Sequence, residues 1–283
     1  LEIHSPKLIA TASESGSEVF EVKYFERKAY LAQSPQFYKQ MAMAAGFEKV
    51  FEVGPVFRAE PSFTSRHATE FTGYDSEISY IESHEDVMRE EERVIQYAIS
   101  KVKEVYGVEI QRLFGRDVVV PETPFPRVSM RDAKKILAER GLKSEKEGDI
   151  SPEEERAICE YVKQERGHEF LFVTDYPVTV RPFYHMRHES DPSLTKSSDL
   201  LWNGIEVTTC AQREHRYDVL VAQAKEKGMD VSPLQFYLNF FKYGCPPHGG
   251  YGMGTNRMIM KLLGLENVRE AMFLYRGVNR LTP

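Results

Sequence analysis

The stretch KVFEVGPVFRAEPSFTSRHATEFTGYDSEISYI, residues 49–81, decides the fold. Its two runs, 49–60 and 69–81, carry the alternation of strands, in which successive side chains point to opposite faces. A polar loop with Ser62, Thr64, Ser65, Arg66 and His67 joins them. Alternation sets Arg58 and Glu60 on one face near the end of the first strand. On the second it groups Phe71, Asp75 and Glu77, with side-chain-free Gly73 between them. Such a face offers an arginine, several carboxylates, an aromatic ring and room for a ligand over the glycine. A solvated sheet face with an exposed salt bridge fits the same pattern.

Upstream, Ser34 as N-cap, Pro35 in the first turn and Gly46 at the end predict a helix over 35–45. Gln36, Lys39, Gln40 and Met43 fall on one stripe of it. The stripe can present a cation and amides to an acidic ligand, or simply face water. Downstream, 84–106 reads as a helix rich in Glu and Arg, and 107–170 as a charged insert. Within the insert, Ser129 with Asp132, and Ser151-Pro152-Glu153, mark helix starts, and EFLFVTDYP returns to strand. The insert is expected to pack on the edge of the main sheet and to carry little chemistry. This divides one domain into 1–106, 107–170 and 171–283.

Asn203-Gly204 between two apolar runs predicts a two-residue hairpin turn. That register pairs Trp202 with Ile205, Leu201 with Glu206 and Asp199 with Thr208. Asp199 and Glu206 become diagonal neighbours on one face, about 7–8 Å apart at Cα. Two carboxylates so placed can share a divalent cation with a nucleotide phosphate; two solvated acids on an edge hairpin fit as well. Leu200, Trp202, Ile205 and Val207 point into the core. Helices are expected at 214–228 and 232–242. HGGYGMGTNR (248–257) then closes the chain with a glycine-rich strand, over which a flat ligand can approach the backbone, and a helix whose first turn holds Arg257. Long antiparallel strands with helices to one side predict an α+β fold.

Composition narrows the function. The 283 residues carry 37 basic and 43 acidic side chains, net −6, which excludes a protein that coats nucleic acid by charge alone. No run of 18 apolar residues spans a membrane, and LEIHSPKLIA lacks signal-peptide character. Three dispersed cysteines, Cys159, Cys210 and Cys245, give neither a disulfide framework nor a metal knuckle and fit the cytoplasm. His4, His168 and His188 have no metal-ligand spacing.

Taken in order, these pieces resemble the catalytic domain of class II aminoacyl-tRNA synthetases, and most closely the archaeal/eukaryotic aspartyl type, over essentially the whole chain. EIHSPKL, with Pro6, is similar to the tail of motif 1; PVFRAEPSFTSRHATEF (55–71) to motif 2; GGYGMGTNRMIMKLLGL (249–265) to motif 3. LAQSPQFYKQ (31–40) and GIEVTTCAQREHRYD (204–218) look aspartate-type.

The resemblance implies a mostly antiparallel sheet flanked by helices, with ATP and L-aspartate as substrates and Mg²⁺ as cofactor. It assigns Arg58 to the α-phosphate, Glu60 to the adenine edge and Phe71 to stacking on the ring. Arg66 and His67 would meet the outer phosphates, and Arg257 the other adenine face and the γ-phosphate. Asp199 and Glu206 would hold Mg²⁺. Lys39 and Arg213 would bind the aspartate side-chain carboxylate, and Gln36 and Asp75 its α-ammonium. Glu14, in a mobile loop, would close over the amino acid, and His248 would line its pocket. Thr209 and Cys210 stand where the family usually has serine and glycine, crowding the pocket floor. Ser15, Asn256 and Tyr275 replace the usual glycine, glutamate and proline.

The implied reaction is formation of aspartyl-adenylate and transfer of the aspartyl group to tRNA(Asp), and to tRNA(Asn) if the enzyme does not discriminate. Alternatives are a paralogue serving a small acceptor and a non-catalytic module. In the family, dimerisation uses motif 1 and anticodon reading an N-terminal β-barrel. The sequence begins inside motif 1, so a homodimer and full tRNA charging are expected of a longer protein.

Overall fold

The computed structural model describes residues 1–10, 18–61, 64–144 and 146–282. In chain order the strands are β1 (Leu8–Ile9), β2 (Glu21–Tyr24), β3 (Arg27–Leu31), β4 (Lys49–Phe57), β5 (Glu70–Ser79), β6 (Arg127–Ser129), β7 (Phe170–Thr174), β8 (Ser197–Trp202), β9 (Ile205–Arg213) and β10 (His248–Gly254). The helices are α1 (Gln36–Ala44), α2 (His84–Phe114), α3 (Met130–Glu139), α4 (Pro152–Arg166), α5 (Tyr217–Glu226), α6 (Gln235–Leu238) and α7 (Thr255–Leu263). Strands β1, β3 and β2 form a small sheet. The main sheet runs β4-β5-β10-β9-β8-β7-β6, antiparallel except for β6 beside β7. The α+β expectation holds.

The main sheet has two differently used faces. On one, Ile95 and Ile99 of α2 pack with Phe170, Phe172, Leu200, Trp202, Val207, Cys210 and Tyr251. On the other, α3 and α4 cover Leu171, Val173 and Leu201 at the β6 end. Strand β7 is therefore apolar on both sides, which is why its sequence shows a continuous run instead of alternation. A third cluster joins Phe37 of α1 to Leu220 of α5 and Tyr237 of α6.

Several sequence-based boundaries move. Helix α2 does not stop at 106 but runs to Phe114, ending on Gly115 at φ 65°. Gly107 lies inside it; an interior glycine costs only about 1 kcal/mol relative to alanine, too little to end a well-packed helix. The 106/107 division thus falls within one helix, and the 107–170 segment joins the main sheet at its edge, where it supplies the end strand β6. The 232–242 helix shortens to a 3-10 turn, Ser232–Leu234, and the single turn of α6. The Asn203-Gly204 turn is present, both residues at positive φ (45° and 80°). Trp202 pairs with Ile205 and Leu201 with Glu206, as expected. A register shift follows, so Asp199 faces Thr209, not Thr208. The bulge inserts one extra residue and leaves both Val207 and Thr208 on the α2 side, where Thr208 donates to Glu91.

Candidate functional site

The face of β5, β10, β9 and β8 that α2 does not cover carries a continuous cross-strand row: Asp75, Gly252, Thr209 and, on β8, Asp199. The next row runs Glu77, Gly250, Ala211, Ser197. Glycines occupy β10 because side chains there would collide with the acids of β5. A Cβ at Gly250 would lie 2.1 Å from the Ser76 carbonyl oxygen and 2.2 Å from Glu77 Oε2; at Gly252, 3.1 Å from Asp75 Oδ1. Over this floor lies a cavity of about 410 Å³.

One end of the cavity is cationic and aromatic. Arg58, Glu60, Phe71, Arg66, His67 and Arg257 all line it. The Arg58 guanidinium lies 5.5 Å over the Phe71 ring, while its Nε is buried and without a partner among the described residues. Arg257, in the first turn of α7, donates from Nη1 to the Glu206 carbonyl (2.9 Å) and from Nε to that of Arg66 (3.4 Å). Arg66 forms an ion pair with Glu155 of α4 at 2.7 Å. Burial and then the charge of Arg257 lower the His67 pKa, so its ring is neutral near pH 7. The solvated-face alternative for 49–81 is thereby replaced by a walled cavity.

The other end is built around buried, compensated charge. Gln36, Asp75 and Arg213 line it, and the Gln36 Nε2 amide is buried without a partner among the described residues. The α1 stripe faces inward, since Gln36, Lys39, Gln40 and Met43 are all buried. Lys39 does not reach the cavity wall. Its ammonium bonds Asp75 Oδ1 (2.9 Å), Glu77 Oε2 (3.3 Å) and the Ser76 and Tyr251 carbonyls. Arg213 holds Glu77 through Nε (2.9 Å), donates from Nη2 to the Gly250 carbonyl (2.9 Å) and meets His185 Nε2 from Nη1 (3.0 Å). Burial works against the Glu77 carboxylate, but Arg213 and Lys39 outweigh it and hold its pKa low. Since Lys39 and Arg213 balance Asp75 and Glu77, this end is close to neutral, a pre-organised arrangement that a zwitterion can enter.

His248 departs from its expected place. It is fully buried against Phe241 with Nδ1 at 2.9 Å from the Pro246 carbonyl, and burial pushes its pKa down to about 4. It pairs with Arg213 across β10–β9, behind the cavity wall. Cys210 also differs: the bulge turns it to the α2 side, where it meets Ser198 Oγ at 2.8 Å, so only Thr209 crowds the floor. Asn256 and Tyr275 line the cavity. Glu14 and Ser15 lie outside the described residues.

Asp199 and Glu206 remain neighbours on the site face, although the register beyond Leu201 is not the expected one. Desolvation and then the charge of Asp199 raise the Glu206 pKa, and Asp199 Oδ1 is buried with no partner among the described residues. Two mutually repelling carboxylates with a free oxygen form a donor set that suits a hard divalent cation. No group of three or more acidic, His or Cys ligands occurs among the described residues. Such a cation would therefore rely on substrate oxygens to complete its shell.

Residues that the sequence reading missed close the site. Arg181 and His185 line the cavity, Arg181 bonded to Asp199 at 2.6 Å. Burial and the neighbouring Arg213 and Arg181 push the His185 pKa well down. The available signal was the one arginine in the apolar run VTVRPFY (178–184). Glu155 had no signal, because its role depends on α4 folding onto the loop of Arg66.

The pattern of the family described as tRNA synthetases class II (D, K and N) matches residues 1–276. The aspartate–tRNA(Asp/Asn) ligase of Aeropyrum pernix is 48% identical over all of this chain, and the aspartate–tRNA(Asp) ligase of Pyrococcus abyssi 44%. The chain spans 64% of the length of each. Among solved structures, the asparaginyl-tRNA synthetase of Pyrococcus horikoshii complexed with asparaginyl-adenylate superposes over the whole chain with a TM-score of 0.91 at 35% identity, covering 64% of that protein. The aspartyl-tRNA synthetase of Entamoeba histolytica gives 0.89 at 34%, covering 55% of its own chain.

Proposed function

The chain belongs to the class II tRNA synthetases (D, K and N), and from that premise we propose that it activates L-aspartate with ATP and passes the aspartyl group to tRNA(Asp), and to tRNA(Asn) where the enzyme does not discriminate. The observation that carries this is one cavity with two unlike ends: an arginine-rich wall with an aromatic platform, and a charge-balanced pocket for a zwitterion.

In the first step the aspartate α-carboxylate oxygen attacks the α-phosphorus of ATP. A new P–O bond forms, the bond to pyrophosphate breaks, and pyrophosphate leaves with the electron pair. Arg58, with its unpaired Nε, donates to the α-phosphate oxygens as charge builds there. Phe71 and Arg257 sandwich the adenine, and Glu60 accepts from its amino group. Arg66 and His67 face the outer phosphates, where both side chains can donate hydrogen bonds. Asp199 and Glu206 would hold Mg²⁺, which supplies charge neutralisation for phosphate oxygens when bound. Asp75 and Gln36 take the α-ammonium; Arg213 takes the side-chain carboxylate, with Lys39 fixing Asp75 and Glu77 from behind. In the second step a terminal ribose hydroxyl of tRNA attacks the acyl carbon and AMP leaves. Catalysis is orientation and charge stabilisation, with no covalent enzyme intermediate.

Identity of 44–48% to proteins named as aspartate–tRNA ligases does not favour a small-molecule acceptor or a non-catalytic module. We place the reaction in the cytoplasm, in a homodimer of the whole protein; among the described residues no helix is long and apolar enough to cross a membrane. Charging assays of the whole protein with labelled aspartate on separate tRNA(Asp) and tRNA(Asn) transcripts test the reading: aspartyl-tRNA(Asp) is expected, and charging of neither would refute it.

A further inference from the structure

Each carboxylate of the candidate cation pair meets an arginine, and the two contacts differ. Glu206 Oε1 is 3.8 Å from Arg257 Nη1, a loose contact that leaves it on the cavity wall. Asp199 Oδ2 is bonded to Arg181 Nη2 at 2.6 Å, with both side chains about nine-tenths buried. The Arg181 guanidinium stacks on Tyr176, 3.6 Å from the ring centroid, and Tyr176 is itself 1% exposed. A cation over an aromatic face, out of water and against a carboxylate, is held from two directions. Arg181 lines the cavity, whereas Asp199 does not. Arg181 Nε, Asp199 Oδ1 and the Tyr176 hydroxyl are all buried with no hydrogen-bond partner among the described residues.

We propose that Arg181 is an internal counter-ion that competes with the divalent cation for Asp199, so that the Asp199–Glu206 pair accepts a cation well only when nucleotide phosphate has drawn the Arg181 charge to itself. This rests on the reading of Asp199 and Glu206 as the cation pair. Arg181 on Oδ2 draws off part of the negative charge that the free Oδ1 of Asp199 could offer a second cation. An arginine that swings from Asp199 remains desolvated unless it meets another anion, and the cavity it lines is the one assigned to the triphosphate. Cation and nucleotide therefore bind with positive coupling, and the ligand-free protein stays metal-poor. Arg181 is a positioning residue in this scheme, acting through Asp199.

Mn²⁺ as probe, with free Mn²⁺ followed by EPR in the intact protein, separates the possibilities. Wild type is expected to bind Mn²⁺ weakly alone and more tightly with a non-hydrolysable ATP analogue. Arg181→Met should tighten binding without nucleotide by about tenfold or more, the equivalent of one charge-assisted hydrogen bond, and should shrink the effect of the analogue. Arg181→Lys, which keeps the charge but loses the planar stack on Tyr176, should tighten binding distinctly less than the neutral variants do. If the methionine variant does not fold, as judged by its melting transition, Arg181→Gln carries the same expectation. Nucleotide-free affinity unchanged or weakened in the neutral variants, or tightened equally in Arg181→Lys, would overturn the proposal while leaving the cation site standing. Failure of wild type to bind Mn²⁺ even with the analogue, matched by Asp199→Asn, would overturn both.

Discussion

Arg58 sits where β4 leaves the sheet, with its Nε unpaired and its guanidinium over Phe71. Among the described residues no ion pair holds it, so its removal should cost little stability and much activity. Arg58→Ala is expected to lower the activation rate by about 10²–10³ by analogy with a single oxyanion donor. Its stability should stay within roughly 1 kcal/mol of wild type. Pyrophosphate exchange and denaturant titration read the two quantities, and a full-rate variant would remove Arg58 from the chemistry. Individual residues were legible where alternation or a short turn fixes them. Phe71, Gly73 and Asp75 fall on the cavity as read, and so do Arg58 and Glu60. Lys39 was placed on the correct stripe but not behind the wall, because burial of a lysine depends on the acids of β5 meeting α1, and no local pattern encodes that. Cys210 was misplaced for a related reason: a one-residue bulge reverses the facing of everything beyond it.

At the scale of elements, β10 is the clearest case of sequence serving geometry. Gly250 and Gly252 both face the site, but with different clearances. Gly250→Ala pushes a methyl into a backbone carbonyl and the Glu77 carboxylate, neither of which can retreat from its partners. A loss of about 2 kcal/mol or more is expected by denaturant titration. Gly252→Ala meets only the Asp75 carboxylate at 3.1 Å. It should leave stability nearly intact and raise the KM for the amino acid more than that for ATP. Equal effects of the two substitutions on stability would contradict the assigned contacts. The hairpin was legible because Asn-Gly dictates its turn. The end of α2 was not, since Gly107 and Gly115 look alike in sequence and only Gly115 takes the left-handed conformation.

Across the whole molecule, the sheet separates the site from a second polar group that no motif announces. Glu91 of α2 is fully buried and accepts from Thr208 of β9, and burial raises its pKa to about 8. A carboxyl whose pKa is higher folded than unfolded stabilises the fold when protonated, and that contribution fades as pH rises from about 4.5 towards 8. Wild type should therefore lose stability between pH 5.5 and 8, on the order of a few kcal/mol from this group. Glu91→Gln, which keeps the shape and cannot ionise, should lose distinctly less. Parallel losses in denaturant titrations at the two pH values would show that Glu91 does not carry the dependence. The proposed reaction depends on the other side of the sheet, where the two ends of one cavity would hold ATP and aspartate side by side. ATP–pyrophosphate exchange, measured with aspartate and with asparagine on the same protein, tests it most directly. Exchange is expected with aspartate, and at a rate lower by roughly 10⁴-fold with asparagine, whose neutral amide brings no carboxylate to the Arg213 end. Equal exchange with asparagine, or none with aspartate, would contradict it.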